Sequence, residues 1–544
     1  MLKKIVKTID KKEWWFAAFI SLGLIVVTTA PAIYGYLITP ENHVFTAMHF
    51  VNADDWFVYY SFIHQGMEGR LFFKDLFAPV DHLSIFRPEW LVVGVIAGIF
   101  NLSLPLAFHL ARVALIPVFI FLAYIFLAYI FSEKNYRKIT LAFLSVSSGL
   151  GTLFIYRLVT TPGNYAYGSF RWPMDLWVPD VNTFLTLFTS AHFIGATILV
   201  LLIFFLTILF TEHKHYAYPI ISGLAGLILF CFHPFQVLKV YAIIALFFLI
   251  LIWRQRKILW DLVWYYLIFT VISSPSILYY LWLLQVDWLT VQRAVQNFNP
   301  TAPLYLLIFS LGGLFVFASL SFYVLVKQGK LRENKFLFLV VWAAVQFIIL
   351  YAPVAYQRRL ALGIHIPFAI LTMIYIFYLY QTKRNFFKKH AAAFLVLAGL
   401  VFLPSTLFAL SVDLMVFNQR RELSYVTTTE YQGYLWLKKN TSEDSIVFSS
   451  VRTGIILPAY SLRTSYVAHP VETPFYREIK KEPEWFFSEN RPENLEYSFL
   501  KDRNIDYIYF GPEELEFAGS YDPAVKSYLK EVYSSIDTKI YQVL

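Results

Sequence analysis

The sequence predicts an all-α polytopic membrane bundle of about eleven transmembrane helices, followed by a small C-terminal α/β domain. Three observations point there. Of 544 residues, 58% are hydrophobic and only 15% charged, where a soluble chain carries roughly a quarter, and the mean hydropathy is +0.57. Apolar runs long enough to span hydrocarbon recur along the first three quarters of the chain. From residue 413 onward the pattern changes to short elements separated by Pro, Gly, Asn and Asp.

The apolar runs lie near 14–38, 105–131, 139–157, 190–211, 217–232, 235–253, 258–284, 303–326, 336–353, 360–380 and 391–411, each near the length a spanning helix needs. The first is too long for a signal-peptide core and lacks a small-residue cleavage site, so it reads as a retained helix. Segment 88–101 is short and is broken by Asn101 and Pro105; it reads as an interfacial helix. The 54 Phe and 37 Tyr suit lipid-facing surfaces and interface belts. One cysteine, Cys231, excludes a disulfide within the chain.

Charge sets the expected orientation. One alternate set of loops carries Lys3, Lys4, Lys7, then Lys134, Arg137, Lys138, then Arg254, Arg256, Lys257 and the clusters near 327–335 and 383–389. The positive-inside rule places this set, with the N-terminus, in the cytoplasm. Loops 39–104, 158–190, 285–302 and 354–359 and the tail then share the outer face. The net charge of +9 is accounted for by this bias and needs no nucleic acid. The domains are therefore 1–412, membrane-embedded with outer loops 39–104 and 158–190, and 413–544, extracytoplasmic. In the tail, 429–439 reads as a helix, and 445–449, 464–467 and 506–510 read as strands.

The candidate chemistry gathers on the expected outer side. Asp54 and Asp55 follow the first helix, either as a polar helix cap or as a general base or metal ligand at headgroup level. Residues after them, from Tyr59 to Arg70, read as an amphipathic helix lying on the membrane. Asp175 and Asp180 sit in a long loop; Pro179 keeps them off one helix face, so a folded loop must bring them together. The alternative is an N-cap and turn residues. Arg358 and Arg359 run against the charge trend and fit a phosphate, through the arginine fork, or ordinary anionic headgroups. Lys239 can snorkel toward the same region. His233, beside Pro234, and His192 are weaker candidates. His213 and His215 resemble a metal pair but fall in an expected cytoplasmic loop, where solvation accounts for them.

Taken as a set, Asp55 with Tyr59 four residues on, Asp175, Pro179-Asp180-Val181-Asn182-Thr183-Phe184, His233-Pro234 and Gln357-Arg358-Arg359 resemble the GT-C superfamily of membrane glycosyltransferases. So do the tail positions Gly454, Pro458, His469-Pro470, Glu472-Thr473-Pro474, Tyr507 and Gly511-Pro512. The superfamily includes the oligosaccharyltransferase catalytic subunit, protein O-mannosyltransferases and aminoarabinose transferases; the chain resembles its poorly characterised bacterial members over its whole length. The resemblance implies an inverting transfer of sugar from a polyprenyl-phosphate or polyprenyl-diphosphate donor to a protein, lipid or glycan acceptor. It gives Asp54 or Asp55 the role of base, leaving open which. Arg358, Arg359 and Lys239 would hold the donor phosphate. Asp175 and Asp180 would orient the acceptor or hold a divalent cation such as Mg or Mn. The expected partners are thus membrane lipid, the donor and the acceptor, with all candidates lining one pocket.

Two other classes compete. A transporter or flippase of a lipid-linked glycan would place ionisable groups near the bilayer midplane. The runs here hold few: Asp261 lies close to an end, and Arg112 and His109 lie in one half of their helix. A membrane anchor displaying the tail as a binding module would need far fewer helices.

Overall fold

Each of the eleven apolar runs forms helix, because in hydrocarbon only a helix satisfies its own backbone polar groups. The computed structural model describes residues 1–160, 171–421 and 423–544; residues 161–170, part of the expected loop 158–190, lie outside the described residues. Among the described residues six helical segments are long and apolar enough to cross a bilayer: Lys11–Leu37, Leu104–Ile130, Lys134–Arg157, Ala191–Glu212, Gln236–Gln255 and Trp260–Val286. Up to eight qualify if each of two bent pairs is one crossing. The chain is a multi-pass membrane protein of mostly helical architecture.

The bent pairs explain why runs read as single spans are interrupted. Leu304–Leu311 and Gly313–Lys327 meet at 83°, and Ala391–Phe402 and Pro404–Asn418 at 58°. The first bend is made at Gly312, whose φ of +52° suits a residue without Cβ. A third interruption, residues 147–150, follows the helix Lys134–Val146. The three breaks share backbone hydrogen bonds, Ser148 N–H to the Phe402 carbonyl and Leu150 N–H to the Phe309 carbonyl. Groups freed by bending are in this way satisfied inside the protein.

The chain forms two compact units. The first comprises Met1–Ala30, His109–Trp282 and Phe298–Val412, and the second Pro31–Phe108, Leu283–Asn297 and Asp413–Leu544. The second unit holds the β structure. Strands β1 (His43–Phe45) and β2 (Tyr425–Thr427) pair antiparallel. A five-stranded mixed sheet has the order β4-β3-β5-β7-β6, from β3 (Ile446–Phe448), β4 (Thr464–Ser465), β5 (Tyr507–Phe510), β6 (Leu529–Ser534) and β7 (Lys539–Val543). The first three are the strands read from sequence, and the 429–439 helix is Thr428–Asn440, started by a capping box of Thr427 and Glu430. The β6–β7 hairpin was not read from the sequence.

The helix after the first run, Ala53–Met67, corrects an expectation. Rather than lying exposed as an amphipathic surface helix, it is buried from Trp56 to Val58 and from Tyr60 to Gly66. Helix Val451–Ser461 contributes to covering it, the Ala459 carbonyl bonding His64 Nδ1 at 2.7 Å. Helix Pro88–Ile99 approaches so closely that a Cβ on Gly94 would stand 2.6 Å from the Ile63 carbonyl oxygen. That contact fixes the Ile63–Met67 end of the helix against its neighbour.

Candidate functional site

The sequence candidates are distributed over both units. In the second unit, Asp54 and Asp55 occupy the first turn of Ala53–Met67, where the helix dipole favours negative charge. The cap alternative is not realised: the N-cap residue is Asn52, which makes no side-chain cap bond. Asp55 Oδ1 meets His469 Nε2 at 3.1 Å. On the other side of that ring, Nδ1 accepts the backbone N–H groups of Val471 and Glu472, both at 3.2 Å. A neutral imidazole so placed carries its proton on Nε2 and donates it to Asp55. Burial disfavours the imidazolium, yet Asp55, Glu472 and Asp54 together hold the His469 pKa above its usual value. Burial, with the like charge of Asp55 and against His469, also raises Asp54 above the ordinary carboxylate range.

A buried ion-pair chain supports the His469 loop. Arg293, on helix Trp288–Gln296, pairs with Asp75 and with Glu472 at 2.5 Å through Nε. Asp75 also accepts the Phe77 N–H at 2.8 Å. Thr473 Oγ1 donates to the Phe77 carbonyl at 2.7 Å, and Gln296 Nε2 donates to the Val471 and Thr473 carbonyls at 3.1 and 2.9 Å. Sequence reasoning missed Asp75 and Arg293, and took His469 and Glu472 only as family-like positions. Arg293 carried the same signal as Arg358, a positive charge against the orientation trend.

In the first unit, Asp180 is 1% exposed, and neither carboxylate oxygen has a hydrogen-bond partner among the described residues. Its nearest cation is Arg359, Nη1 at 3.9 Å. Burial raises its pKa against the pull of Arg359, Arg358 and Lys239. Arg358 lies over the Trp177 ring at 4.2 Å and bonds Asn299; Arg359 lies over Phe193 at 5.8 Å. Lys239 points inward rather than snorkelling, its Nζ 2.5 Å from the Leu362 carbonyl oxygen. The rings of His192 and His233 stack at 5.5 Å, and His233 also contacts Phe193, which joins both weaker candidates to the arginine group.

Asp175 and Asp180 do not converge on one site. Asp175 Oδ2 accepts Gly151 N–H at 3.0 Å and the Ser405 hydroxyl at 2.5 Å, while Ser310 Oγ accepts the adjacent Met174 N–H at 2.7 Å. It therefore staples the three helix breaks together. Burial raises its pKa to about 6. The cap of the following helix is Asn182, accepting Leu185 N–H at 2.7 Å, not Asp180. Among the described residues no three His, Cys, Asp or Glu side chains are grouped as metal ligands.

The second-unit centre can accept a proton from a hydroxyl or amide, with Asp54 and Asp55 held in a polar, partly buried first turn. The first-unit centre gathers Arg358, Arg359 and Lys239 near one carboxylate, Asp180, and the two arginines alone outweigh its charge, which suits a phosphate. No protein-family model matches the sequence, and no curated protein matches it. Solved structures do. The archaeal oligosaccharyltransferase AglB from Archaeoglobus fulgidus, in complex with an inhibitory peptide and a dolichol-phosphate, is similar over 95% of this chain and 73% of its own, with a TM-score of 0.55 and 14% identity. The apo form of the Archaeoglobus fulgidus enzyme is similar over 96% and 74%, with 0.53 and 15%. ArnT from Cupriavidus metallidurans bound to undecaprenyl phosphate gives 96% and 98%, with 0.45 and 12%. At these identities the likeness is one of fold alone, shared with the Archaeoglobus fulgidus oligosaccharyltransferase.

Proposed function

We propose that the chain is an inverting membrane glycosyltransferase, moving a sugar from a polyprenyl-phosphate or polyprenyl-diphosphate donor to an acceptor at the outer face of the membrane. The observation that carries the reading is the group of half-buried Arg358 and Arg359 and buried Lys239 near a single buried carboxylate, Asp180, in a chain of this fold. Arginines held around a carboxylate with no hydrogen bond of its own have capacity for a further anion, and a phosphate oxygen matches the arginine fork. The dolichol-phosphate held by the similar oligosaccharyltransferase supports a polyprenyl carrier.

In the proposed step the acceptor oxygen or nitrogen attacks the anomeric carbon, and its proton passes to the Asp54–Asp55 pair. The bond from that carbon to the phosphate oxygen breaks, its electron pair leaving on the phosphate. Arg358, Arg359 and Lys239 stabilise the charge that builds there. A single displacement inverts the anomeric configuration. With the N-terminus cytoplasmic by the charge rule, both groups of residues serve the outer face.

The test is transfer from radiolabelled polyprenyl-phosphate sugars by the Asp54→Asn/Asp55→Asn double variant, inserted and folded as wild type. The expected result is abolished transfer; full activity would sink the assignment. Movement of intact lipid-linked sugar across the bilayer, with no cleavage, would identify a flippase instead.

A further inference from the structure

We propose that His469 is a positioning residue for the first-loop carboxylates: it pins Asp55 by a hydrogen bond, leaving Asp54 as the group that takes the acceptor's proton. This rests on the transfer reading above.

With Nδ1 accepting two backbone N–H groups, His469 has a proton to give only at Nε2, and that proton goes to Asp55 Oδ1. Taking up a second proton at Nδ1 would break both amide bonds, so the ring serves as a donor rather than a base. Its loop is fixed independently of any substrate: Thr473 Oγ1 accepts Ala468 and His469 N–H at 3.1 and 3.0 Å, and Arg293 and Gln296 hold the residues that follow. The ring itself is 3% exposed and edge-on to Phe77.

Asp54 differs from its neighbour. Among the described residues its carboxylate has no hydrogen-bond partner, and the titratable groups close to it are Asp55, His469 and Tyr476. Two carboxylates whose surroundings separate them divide the roles. The one accepting from imidazole is held in place; the one with its lone pairs unengaged is the base. Asp55, His469 and Tyr476 thus set the basicity of Asp54, and Glu472 and Asp54 itself face His469 with Asp55.

The experiment uses the full chain in proteoliposomes with a mixture of radiolabelled polyprenyl-phosphate hexoses and pentoses and a membrane extract as acceptor source, reading released polyprenyl phosphate against pH. Asp54→Asn should lower kcat by about 10²–10⁴-fold. Asp55→Asn, whose amide oxygen still accepts from Nε2–H, should keep more activity than Asp54→Asn. Its acid limb should move to lower pH, because the like charge is gone. His469→Ala should lower kcat by roughly 100-fold, as misplaced groups do, with donor KM unchanged. His469→Gln, which presents an N–H near the Nε2 position, should recover most of that loss, and His469→Asn, too short to reach, should not. These two arms decide the matter even where His469→Ala fails to fold. Inactivity of Asp55→Asn beside an active Asp54→Asn would overturn the assignment, as would Gln and Asn variants alike in rate and pH profile. No release by wild type would instead remove the transfer reading beneath it.

Discussion

Replacing Arg293 by methionine probes the ion-pair chain that supports the His469 loop. Its partner Asp75 is 2% exposed and Arg293 itself 13%, so the substitution strands a carboxylate that water does not reach. Breaking a buried pair from one side costs about 3–5 kcal/mol. Glu472, at 20% exposed, adds little because solvent screens it. For a unit of this size 1 kcal/mol moves the melting temperature by roughly 2–4 °C, giving an expected drop of about 6–20 °C from these two ranges. The assay is thermal unfolding of the detergent-solubilised full chain by intrinsic fluorescence, run for Arg293→Met, Asp75→Asn and the pair. Asp75→Asn in the Arg293→Met background should recover much of the loss, since the stranded charge is removed. A drop under about 2 °C, at most about one kcal/mol, or strict additivity of the two substitutions, would refute the reasoning.

Four further outcomes are expected. Arg359→Ala should raise donor KM by about 10–150-fold, the worth of a hydrogen bond to a charged group; Arg359→Lys, which lacks the fork, should restore only part of it. Transfer should fall as pH drops through the raised pKa of Asp54, because the base must be ionised. A carboxylate raised in the folded state favours folding below that pKa and opposes it as pH rises past it. Asp54→Asn should therefore melt higher than wild type at neutral pH while losing transfer. Gly151→Ala places a Cβ 2.3 Å from Asp175 Oδ1 and should cost about 1–3 kcal/mol by overpacking, lowering the melting temperature with donor KM unchanged.

The membrane part was legible because a bilayer imposes length and composition on every crossing, and all eleven runs are helical. What interrupts them was not. Gly312 and Pro404 stand in the sequence, but the 83° bend depends on residues 147–150 meeting both breaks, with Asp175 bonded to Gly151 and Ser405. Asp54, Asp55, Arg358 and Arg359 drew notice through local chemistry, an acidic pair after a helix and arginines against the charge trend. The partner of Asp55 could not be read that way: His469 lies 414 residues along the chain, and only the path of the whole second unit brings them together. The β6–β7 hairpin escaped because its strands, Leu529–Ser534 and Lys539–Val543, include Lys530, Glu531 and Lys539 and so lack a clean apolar alternation. Asp175 and Asp180 looked equivalent in one loop; burial beside different neighbours separates a staple from an ionic centre.

The central claim is sugar transfer from a lipid-linked donor, and one measurement meets it directly: cleavage of radiolabelled polyprenyl-phosphate sugars by the purified full chain in proteoliposomes, beside Arg359→Ala and Asp54→Asn. The account predicts release of polyprenyl phosphate with the label passed to an acceptor, slowed by the first variant through donor KM and by the second through kcat. An intact lipid-linked sugar after incubation with wild type and acceptor extract, whether left in place or carried across the bilayer, would contradict it.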